Sequence, residues 1–285
     1  MGNNRDSKKG IPPIIHYCWF GPNPKPEVFD QCLASWKKYM PDCQIIEWNE
    51  SNTDLDSCQF LRDAYDNQKW AFVSDVVRLM AVWQMGGIYM DTDVELYQSL
   101  EEYMGYEGFL FFQNYSQINT GLGFGACAGN ALLADMIKVY GELAFDPNQL
   151  QRLACPLINT DVICRRYPAF EPVCKTQVHE NMIFVHYEDY YSRACHYGEF
   201  SWVSQEQRQA LKYAKKKHGH WKLKRKLRNP EIFRFLEQHK LSAVAKIYGF
   251  LVCDFVDFGA RYWMFRAVQK IRKHMKNLKN YQNRG

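Results

Sequence analysis

Apolar residues change their spacing several times over the first 50 residues of the chain. Residues 11–20 form an apolar run that is typical of a β-strand, and the sequence Gly-Pro-Asn-Pro at 21–24 ends it. Between residues 28 and 40 the apolar positions recur at helical spacing, and residues 43–48 again favour a strand. A strand, a helix and a strand in this order predict an α/β layer of the kind that binds nucleotides.

The most apolar helix is predicted over residues 70–85. It is apolar nearly all round, which is typical of a buried helix, and Gly86-Gly87 ends it. A short strand at 88–90 leads directly into Asp91-Thr92-Asp93, after which residues 94–96 resume an alternating pattern. The remaining predicted elements are strands at 108–113, 122–126 and 182–186 and a helix at 130–143.

Two carboxylates, Asp91 and Asp93, follow the predicted buried strand with one residue between them. Such a pair can share Mg²⁺ or Mn²⁺, which in turn would bridge to the phosphates of a nucleotide. In α/β sheets ligands bind outside the carboxyl ends of the strands, where this pair is expected. An isolated Asp-x-Asp is common, however, and usually marks only a polar loop start.

The buried helix carries a polar arc made of Ser74, Asp75 and Arg78. At about 100° per residue these three side chains share one face. Burying charged groups is costly unless they pair or meet a ligand. Two interpretations stay open: a structural ion pair, or a site in which Asp75 fixes sugar hydroxyls and Arg78 contacts sugar or phosphate.

The joint pattern resembles glycosyltransferase family 32, whose core also occurs in large bacterial glucosylating toxins. The resemblance rests on Asp75-x-x-Arg78 followed by Gly-Gly-Ile-Tyr-Met-Asp-Thr-Asp at 86–93, on Ile-Ile-His-Tyr-Cys-Trp-Phe-Gly at 14–21, and on His196-Tyr197 with Ser201-Trp202. These motifs span residues 11–202 in the family's order. The resemblance implies a GT-A type, Rossmann-like nucleotide-sugar-binding domain over that range.

The resemblance also implies a metal-dependent, retaining transfer from a nucleotide sugar, expected to be UDP-linked. Trp19 would stack on the base, Asp75 and Arg78 would hold the donor sugar, and Tyr89 and Asp91 would lie on the ribose side.

The expected metal is Mn²⁺ or Mg²⁺, with Asp91, Asp93 and His196 as ligands, and Asp91, Asp93 and Arg78 are expected to carry catalysis. Ser201 would complete the metal and phosphate site on a closing loop, and Trp202 would cap the β-phosphate.

Several positions depart from the family's pattern or keep a structural interpretation. Tyr197 stands where the family has a second histidine, and residues 155–160 replace its Thr-Gly-Pro segment. His16 is expected to be a buried core histidine, residues 119–121 fit ordinary turn chemistry as well as an acceptor contact, and Asp161 is interpreted as a helix N-cap.

Charge divides the chain at the point where the resemblance stops. The net charge of +5 combines residues 1–202, with 15 basic and 26 acidic side chains, and residues 203–285, with 21 and 5. Residues 231–280 show helical periodicity with amphipathic faces, and aromatic residues are interleaved with the basic ones, so we predict that residues 203–285 form a helical C-terminal extension that docks on an anionic membrane surface. A solvated basic face is the simpler alternative, and nucleic acid binding is not expected because no recognition module is present.

The apolar content of 47% excludes a disordered protein. Residues 1–10 lack a signal-peptide pattern, and the ten cysteines form no CxxC pair, so a cytoplasmic protein at the inner face of the plasma membrane is expected. The predicted activity is sugar transfer to a hydroxyl of a glycan or lipid-linked oligosaccharide in capsular or other surface polysaccharide synthesis. The alternatives are a glucosylating effector that modifies a protein and a non-catalytic membrane- or nucleic-acid-binding protein on a degenerate transferase fold.

Overall fold

The computed structural model of the 285-residue chain describes residues 10–198 except residues 115 and 151. The strands are β1 (Ile14–Cys18), β2 (Gln44–Trp48), β3 (Gly87–Tyr89), β4 (Val94–Leu96), β5 (Gly108–Phe111), β6 (Phe124–Ala126), β7 (Gln177–His179), β8 (Met182–Val185) and β9 (Ala194–His196). The helices are α1 (Phe29–Tyr39), α2 (Gln59–Asp66), α3 (Trp70–Met85), α4 (Ala131–Glu142), α5 (Cys155–Arg166) and α6 (Tyr187–Arg193), with 3-10 turns at Glu101–Tyr103 and Thr120–Leu122.

Seven strands form one mixed sheet in the order β2-β1-β3-β6-β5-β8-β7. β1 is parallel to both β2 and β3, and β5 is parallel to β8, whereas β6 runs antiparallel to its two neighbours. β4 and β9 form a separate two-stranded antiparallel sheet. The structure is therefore an α/β fold, as predicted.

Alternation along β1 assigns the two faces of the main sheet. Ile15 and Tyr17 belong to the apolar cluster that also contains Trp36 of α1, whereas His16 lies on the α3 side, where its Nε2 is 2.8 Å from the Gly86 carbonyl oxygen. The fully buried helix side chains on the α3 side include Phe60 of α2. Successive side chains of a strand point to opposite faces, so each face of β1 is covered by a different set of helices.

α1 also fixes the position of β4. The indole Nε1 of the fully buried Trp36 donates to the Val94 carbonyl at 2.7 Å, and the backbone N–H of Leu96 donates to Ser35 Oγ at 2.9 Å. One edge of β4 therefore binds α1 side chains while its other edge pairs with β9. The turn between β3 and β4, which contains the Asp-x-Asp sequence, is held at both ends.

The predicted helix at 70–85 and the strand at 94–96 are confirmed to the residue. α2 and α5 were not predicted. α5 begins at Cys155 with Pro156 in its first turn and Ala154 as its N-cap, so Asp161 lies in the middle of a helix and its interpretation as an N-cap is wrong. Within the described residues, no helix has the length and apolar character needed to cross a bilayer. The predicted C-terminal extension at 203–285 lies outside the described residues.

Candidate active site

The site begins at the carboxyl end of β3. The N–H of Met90 still donates to the His16 carbonyl at 3.0 Å, and the N–H of Val94 donates to the Asp91 carbonyl at 3.0 Å. The second bond closes a turn, so Asp91 and Asp93 project from a short, fixed segment between β3 and β4. This is the strand-end position that the sequence predicts.

His196 joins the two aspartates from the far end of the described chain. β9 pairs with β4 so that His196 lies opposite Val94, and His196 Nε2 is 3.3 Å from Asp93 Oδ1 and 3.8 Å from Asp91 Oδ2. One ligand atom from each of the three residues lies within 4.8 Å of the others. Two carboxylates and one imidazole form a donor set suited to Mn²⁺ or Mg²⁺, so the predicted ligands fit such an ion.

Arg78 connects the helix to the strand end. Its Nη2 lies 3.1 Å from Asp75 Oδ1 and 3.3 Å from Asp91 Oδ1, its Nε donates to the Ser74 carbonyl at 3.0 Å, and its Cζ lies 4.8 Å from the centre of the Tyr89 ring. Tyr89 in turn donates from its hydroxyl to Asp91 Oδ1 at 2.7 Å. Arg78 and Asp75 therefore form an ion pair, and this pair is part of a network that reaches the cluster of Asp91, Asp93 and His196.

One nitrogen of this guanidinium has no hydrogen-bond partner within the described part of the chain. This nitrogen, Arg78 Nη1, is buried, and the whole side chain is only 4% exposed. A buried, unpaired donor on a charged group is unfavourable by itself. Its presence next to the Asp91 carboxylate is the feature expected of a group that awaits an anionic or hydroxyl ligand.

The network alters the acid–base behaviour of its members. Burial raises the pKa of Asp75 to about 6 against the opposing effect of Arg78, and burial likewise raises the pKa of Asp91. Burial would lower the pKa of His196, but the charges of Asp93 and Asp91 outweigh it and raise that pKa. The guanidinium keeps its proton because Asp91, Tyr89 and Asp75 outweigh the effect of burial and raise the pKa of Arg78.

Gly121, which belongs to the segment expected to form either an ordinary turn or an acceptor contact, lies against Asp91 and Arg78. Gly121 lies so close that a methyl group there would be 2.7 Å from Asp91 Oδ2 and 3.1 Å from Arg78 Nη1. Its N–H donates to the Asn119 side chain at 2.7 Å, which holds the 3-10 turn.

Helix α5 supplies two further buried polar groups. The Cys155 thiol donates to Asn119 Oδ1 at 3.4 Å. Asn159 Nδ2 donates to Thr120 Oγ1 at 3.0 Å, and Asn159 Oδ1 is buried without a hydrogen-bond partner among the described residues. The Tyr140 hydroxyl is likewise buried without a partner. No local motif marks these positions, because each reaches the site only through the packing of α4 and α5 against α3.

Trp19 lies directly after β1, at the same sheet edge as the aspartates. It is partly exposed, and its Nε1 donates to the Asn23 carbonyl at 2.9 Å. The loop that follows packs on α3, since a Cβ at Gly21 would lie 2.5 Å from the Trp70 indole. A half-exposed indole on a supported loop is compatible with the predicted role as a base platform.

Other predicted positions lie away from this cluster or outside the described residues. His16 is a buried core histidine, as expected: Trp48 donates to its Nδ1 at 3.1 Å, and its Nε2 bonds to Gly86. Burial lowers the pKa of His16. Tyr197 does not point at the cluster but donates to Glu95. Ser201 and Trp202 lie outside the described residues.

The comparison with protein-family models agrees with this site. The family model described as a glycosyltransferase sugar-binding region containing a DXD motif matches residues 26–110. A comparison with curated protein sequences gives no match. Among solved structures, the chain is similar to the PaToxG glycosyltransferase, with a TM-score of 0.46 and 15% identity over 57% of this chain and 71% of that one. It is also similar to a glycosyltransferase involved in the glycosylation of the major capsid of PBCV-1, with a TM-score of 0.37 and 12% identity over 70% of this chain and 98% of that one.

The matched segment 26–110 contains α3, β3 and β4 and therefore Asp75, Arg78 and both aspartates of the turn. The sequence motif and the clustered side chains agree with this match. Over residues 26–110 the chain carries the DXD-containing sugar-binding region of glycosyltransferases.

Proposed function

We propose that the protein transfers a sugar from a nucleotide sugar, expected to be UDP-linked, to an acceptor hydroxyl with a divalent metal ion bound by Asp91, Asp93 and His196. One observation carries the proposal: the three ligand atoms lie within 4.8 Å of one another, beside an arginine whose Nη1 is buried and unpaired. A cluster of like-charged carboxylates next to an unpaired cationic group is suited to a cation and an anionic ligand together.

The bound metal ion, Mn²⁺ or Mg²⁺, would act as a Lewis acid that stabilises negative charge on the diphosphate leaving group. Arg78 would add a second positive charge at that place, directed by Asp75 and Asp91, and its free Nη1 could donate to a phosphate or sugar oxygen. Positively charged groups that are fixed before the reaction stabilise developing charge without reorganisation during it.

The remaining donor contacts follow from the family resemblance. Trp19 would stack on the base, Asp75 would accept from sugar hydroxyls, and Tyr89 would support the ribose side through its bond to Asp91. Ser201 and Trp202 would close over the diphosphate and exclude water, which limits hydrolysis of the donor.

Retention of the anomeric configuration is also part of the proposal, by front-face attack of the acceptor within an ion pair. The acceptor would be a glycan or a lipid-linked oligosaccharide of a surface polysaccharide, and residues 203–285 would hold the enzyme at the inner face of the plasma membrane. The charge of residues 203–285 supports this location, since each basic side chain near anionic lipid contributes about 1 kcal/mol.

The experiment that tests the central claim is hydrolysis and transfer measured for a panel of nucleotide sugars with Mn²⁺, Mg²⁺ or EDTA. We expect turnover with one donor, strict metal dependence, and loss of turnover in Asp93→Ala. Asp161→Asn is the matched control, because Asp161 is an exposed carboxylate of α5 that pairs with Arg165.

Turnover that persists in EDTA, or that is equal in Asp93→Ala and wild type, would overturn the metal-dependent transfer. The anomeric configuration of the product, measured by NMR, tests retention separately. Protein and lipid-linked glycan acceptors offered side by side distinguish polysaccharide synthesis from modification of a protein.

A further inference from the structure

The segment that brings His196 to the aspartates is very short. β9 has three residues, and among the described strands it pairs with β4 and not with a strand of the main sheet. At its start, the N–H groups of Tyr97 and Gln98 both donate to the Arg193 carbonyl, at 2.6 and 3.2 Å. At its end, the N–H of Tyr197 donates to the Asp93 carbonyl at 2.9 Å.

A side-chain cluster reinforces the second end. The Tyr197 hydroxyl donates to Glu95 Oε2, the other carboxylate oxygen of Glu95 accepts from Gln31 Nε2 at 2.8 Å, and the same Nε2 lies 3.3 Å from the Tyr197 oxygen. Gln31 belongs to α1 and Glu95 to β4, and Tyr197 directly follows β9. The cluster therefore joins three elements at one point, and we name it the Tyr197 clasp.

The clasp is attached to a part of the molecule that is already fixed. α1 holds β4 through Trp36 and Ser35, whose side chains bond to the Val94 carbonyl and the Leu96 N–H. Tyr197 also packs against the apolar cluster that contains Trp36. The bond from Tyr197 to Glu95 thus ties the residue next to His196 to the fixed pair of α1 and β4.

We propose that Tyr197 is a positioning residue for the metal site, and that the Tyr197 clasp holds His196 at bonding distance from the ion that Asp91 and Asp93 bind; this rests on the metal site of the proposed function. Tyr197 takes the place of a second histidine in the family's pattern, and its hydroxyl serves Glu95 rather than the ion. Groups that orient a metal ligand commonly change metal affinity by about 10- to 100-fold when they are removed.

The effect should be one of position and not of general stability. Tyr197→Phe keeps the ring and its packing but removes the hydroxyl that contacts Glu95 and Gln31. β9 therefore keeps its backbone pairing with β4 and loses the Tyr197 clasp at its end. Without that brace the His196 ring samples positions further from Asp93 Oδ1, which is 3.3 Å away in the structure.

The test is a titration of the full-length, metal-free protein with Mn²⁺, followed by EPR of the unbound ion. Wild type, Tyr197→Phe, Glu95→Ala and the double variant are compared, with Asp93→Ala to identify binding at the predicted ligands. Tyr39→Phe is the matched control, since Tyr39 of α1 is also a partly buried tyrosine packed on the same apolar cluster.

We expect about tenfold weaker Mn²⁺ binding in Tyr197→Phe, the same weakening in Glu95→Ala, and no further loss in the double variant. The melting temperature of the metal-free protein should stay close to that of wild type in Tyr197→Phe, and Tyr39→Phe should bind Mn²⁺ as wild type does. If Tyr197→Phe binds Mn²⁺ with wild-type affinity while Asp93→Ala does not bind it, the role of the clasp alone is overturned. Binding that is equal in wild type and Asp93→Ala would instead overturn the metal site and the clasp together.

Discussion

Gly121 lies where a side chain would collide with the carboxylate of Asp91 and the guanidinium of Arg78 at once. A Cβ at this position would be 2.7 Å from Asp91 Oδ2 and 3.1 Å from Arg78 Nη1, whereas ordinary contacts begin at 3.4 Å. In Gly121→Ala, Asp91 would have to retreat by about 0.7 Å and Arg78 by about 0.3 Å. Neither can move freely, because Asp91 is bonded to Tyr89 and Arg78 is bonded to Ser74.

The displacement predicts a larger loss of function than of stability. Overpacking of this kind lowers the free energy of unfolding by about 1–3 kcal/mol. A displacement approaching 1 Å in a catalytic group lowers the rate by about 100-fold, and the displaced atom here is one of the expected metal ligands.

Three measurements on Gly121→Ala check this reasoning: urea unfolding, Mn²⁺ titration by EPR, and turnover of the nucleotide sugar. Gly141→Ala is the control, because Gly141 lies in α4 and a methyl group there meets no atom within 4 Å. An alanine inside a helix stabilises it by about 0.5–1 kcal/mol relative to glycine, so the control should be slightly more stable and equally active. Wild-type Mn²⁺ affinity and turnover in Gly121→Ala would refute the close approach on which the prediction depends.

Three other substitutions test the supports of the site. The folded state raises the pKa of Asp75 to about 6, so the ionisation of Asp75 lowers the free energy of unfolding as the pH rises through that value. Between pH 4 and 8, the free energy of unfolding of Asp75→Asn should therefore increase by up to about 3 kcal/mol relative to that of wild type, while turnover is lost. Parallel pH profiles of the two proteins in urea unfolding would contradict this. Trp70→Leu removes the surface on which the loop after Trp19 rests, so the KM for the nucleotide sugar should rise several-fold with little change in kcat, whereas an unchanged KM would show that the loop does not depend on it. Trp36→Phe leaves the Val94 carbonyl without its donor, and urea unfolding should show a loss of about 2–3 kcal/mol; a loss below about 0.5 kcal/mol would show that this bond does not hold β4.

The strongest sequence predictions concern residues whose neighbours along the chain decide their structure. Helix α3 was predicted over its full length because an apolar run ends at a pair of glycines, and the position of Asp91 and Asp93 after a strand follows from the same local pattern. The polar arc of Asp75 and Arg78 follows from helical periodicity, and the structure confirms that these two side chains meet.

Other parts of the site could not be derived from local patterns. His196 was expected to bind the metal only because of the family resemblance. It lies 102 positions after its partner Val94 along the chain, and no local pattern predicts the pairing of β9 with β4. The same reason applies to Gly121, Cys155 and Asn159, which come to the site on a 3-10 turn and on α5, a helix that its weak apolar pattern did not reveal.

An α/β layer, an Asp-x-Asp turn at a strand end and a charged pair on a buried helix can all be predicted from the sequence, because the periods of helix and strand are properties of consecutive residues. Tertiary packing adds that Arg78 reaches from Asp75 to Asp91, that Gly121 lies against both Asp91 and Arg78, and that the Tyr197 hydroxyl donates to Glu95. These contacts depend on which distant elements pack together, and that choice is made by the burial of the whole apolar core, not by any one segment.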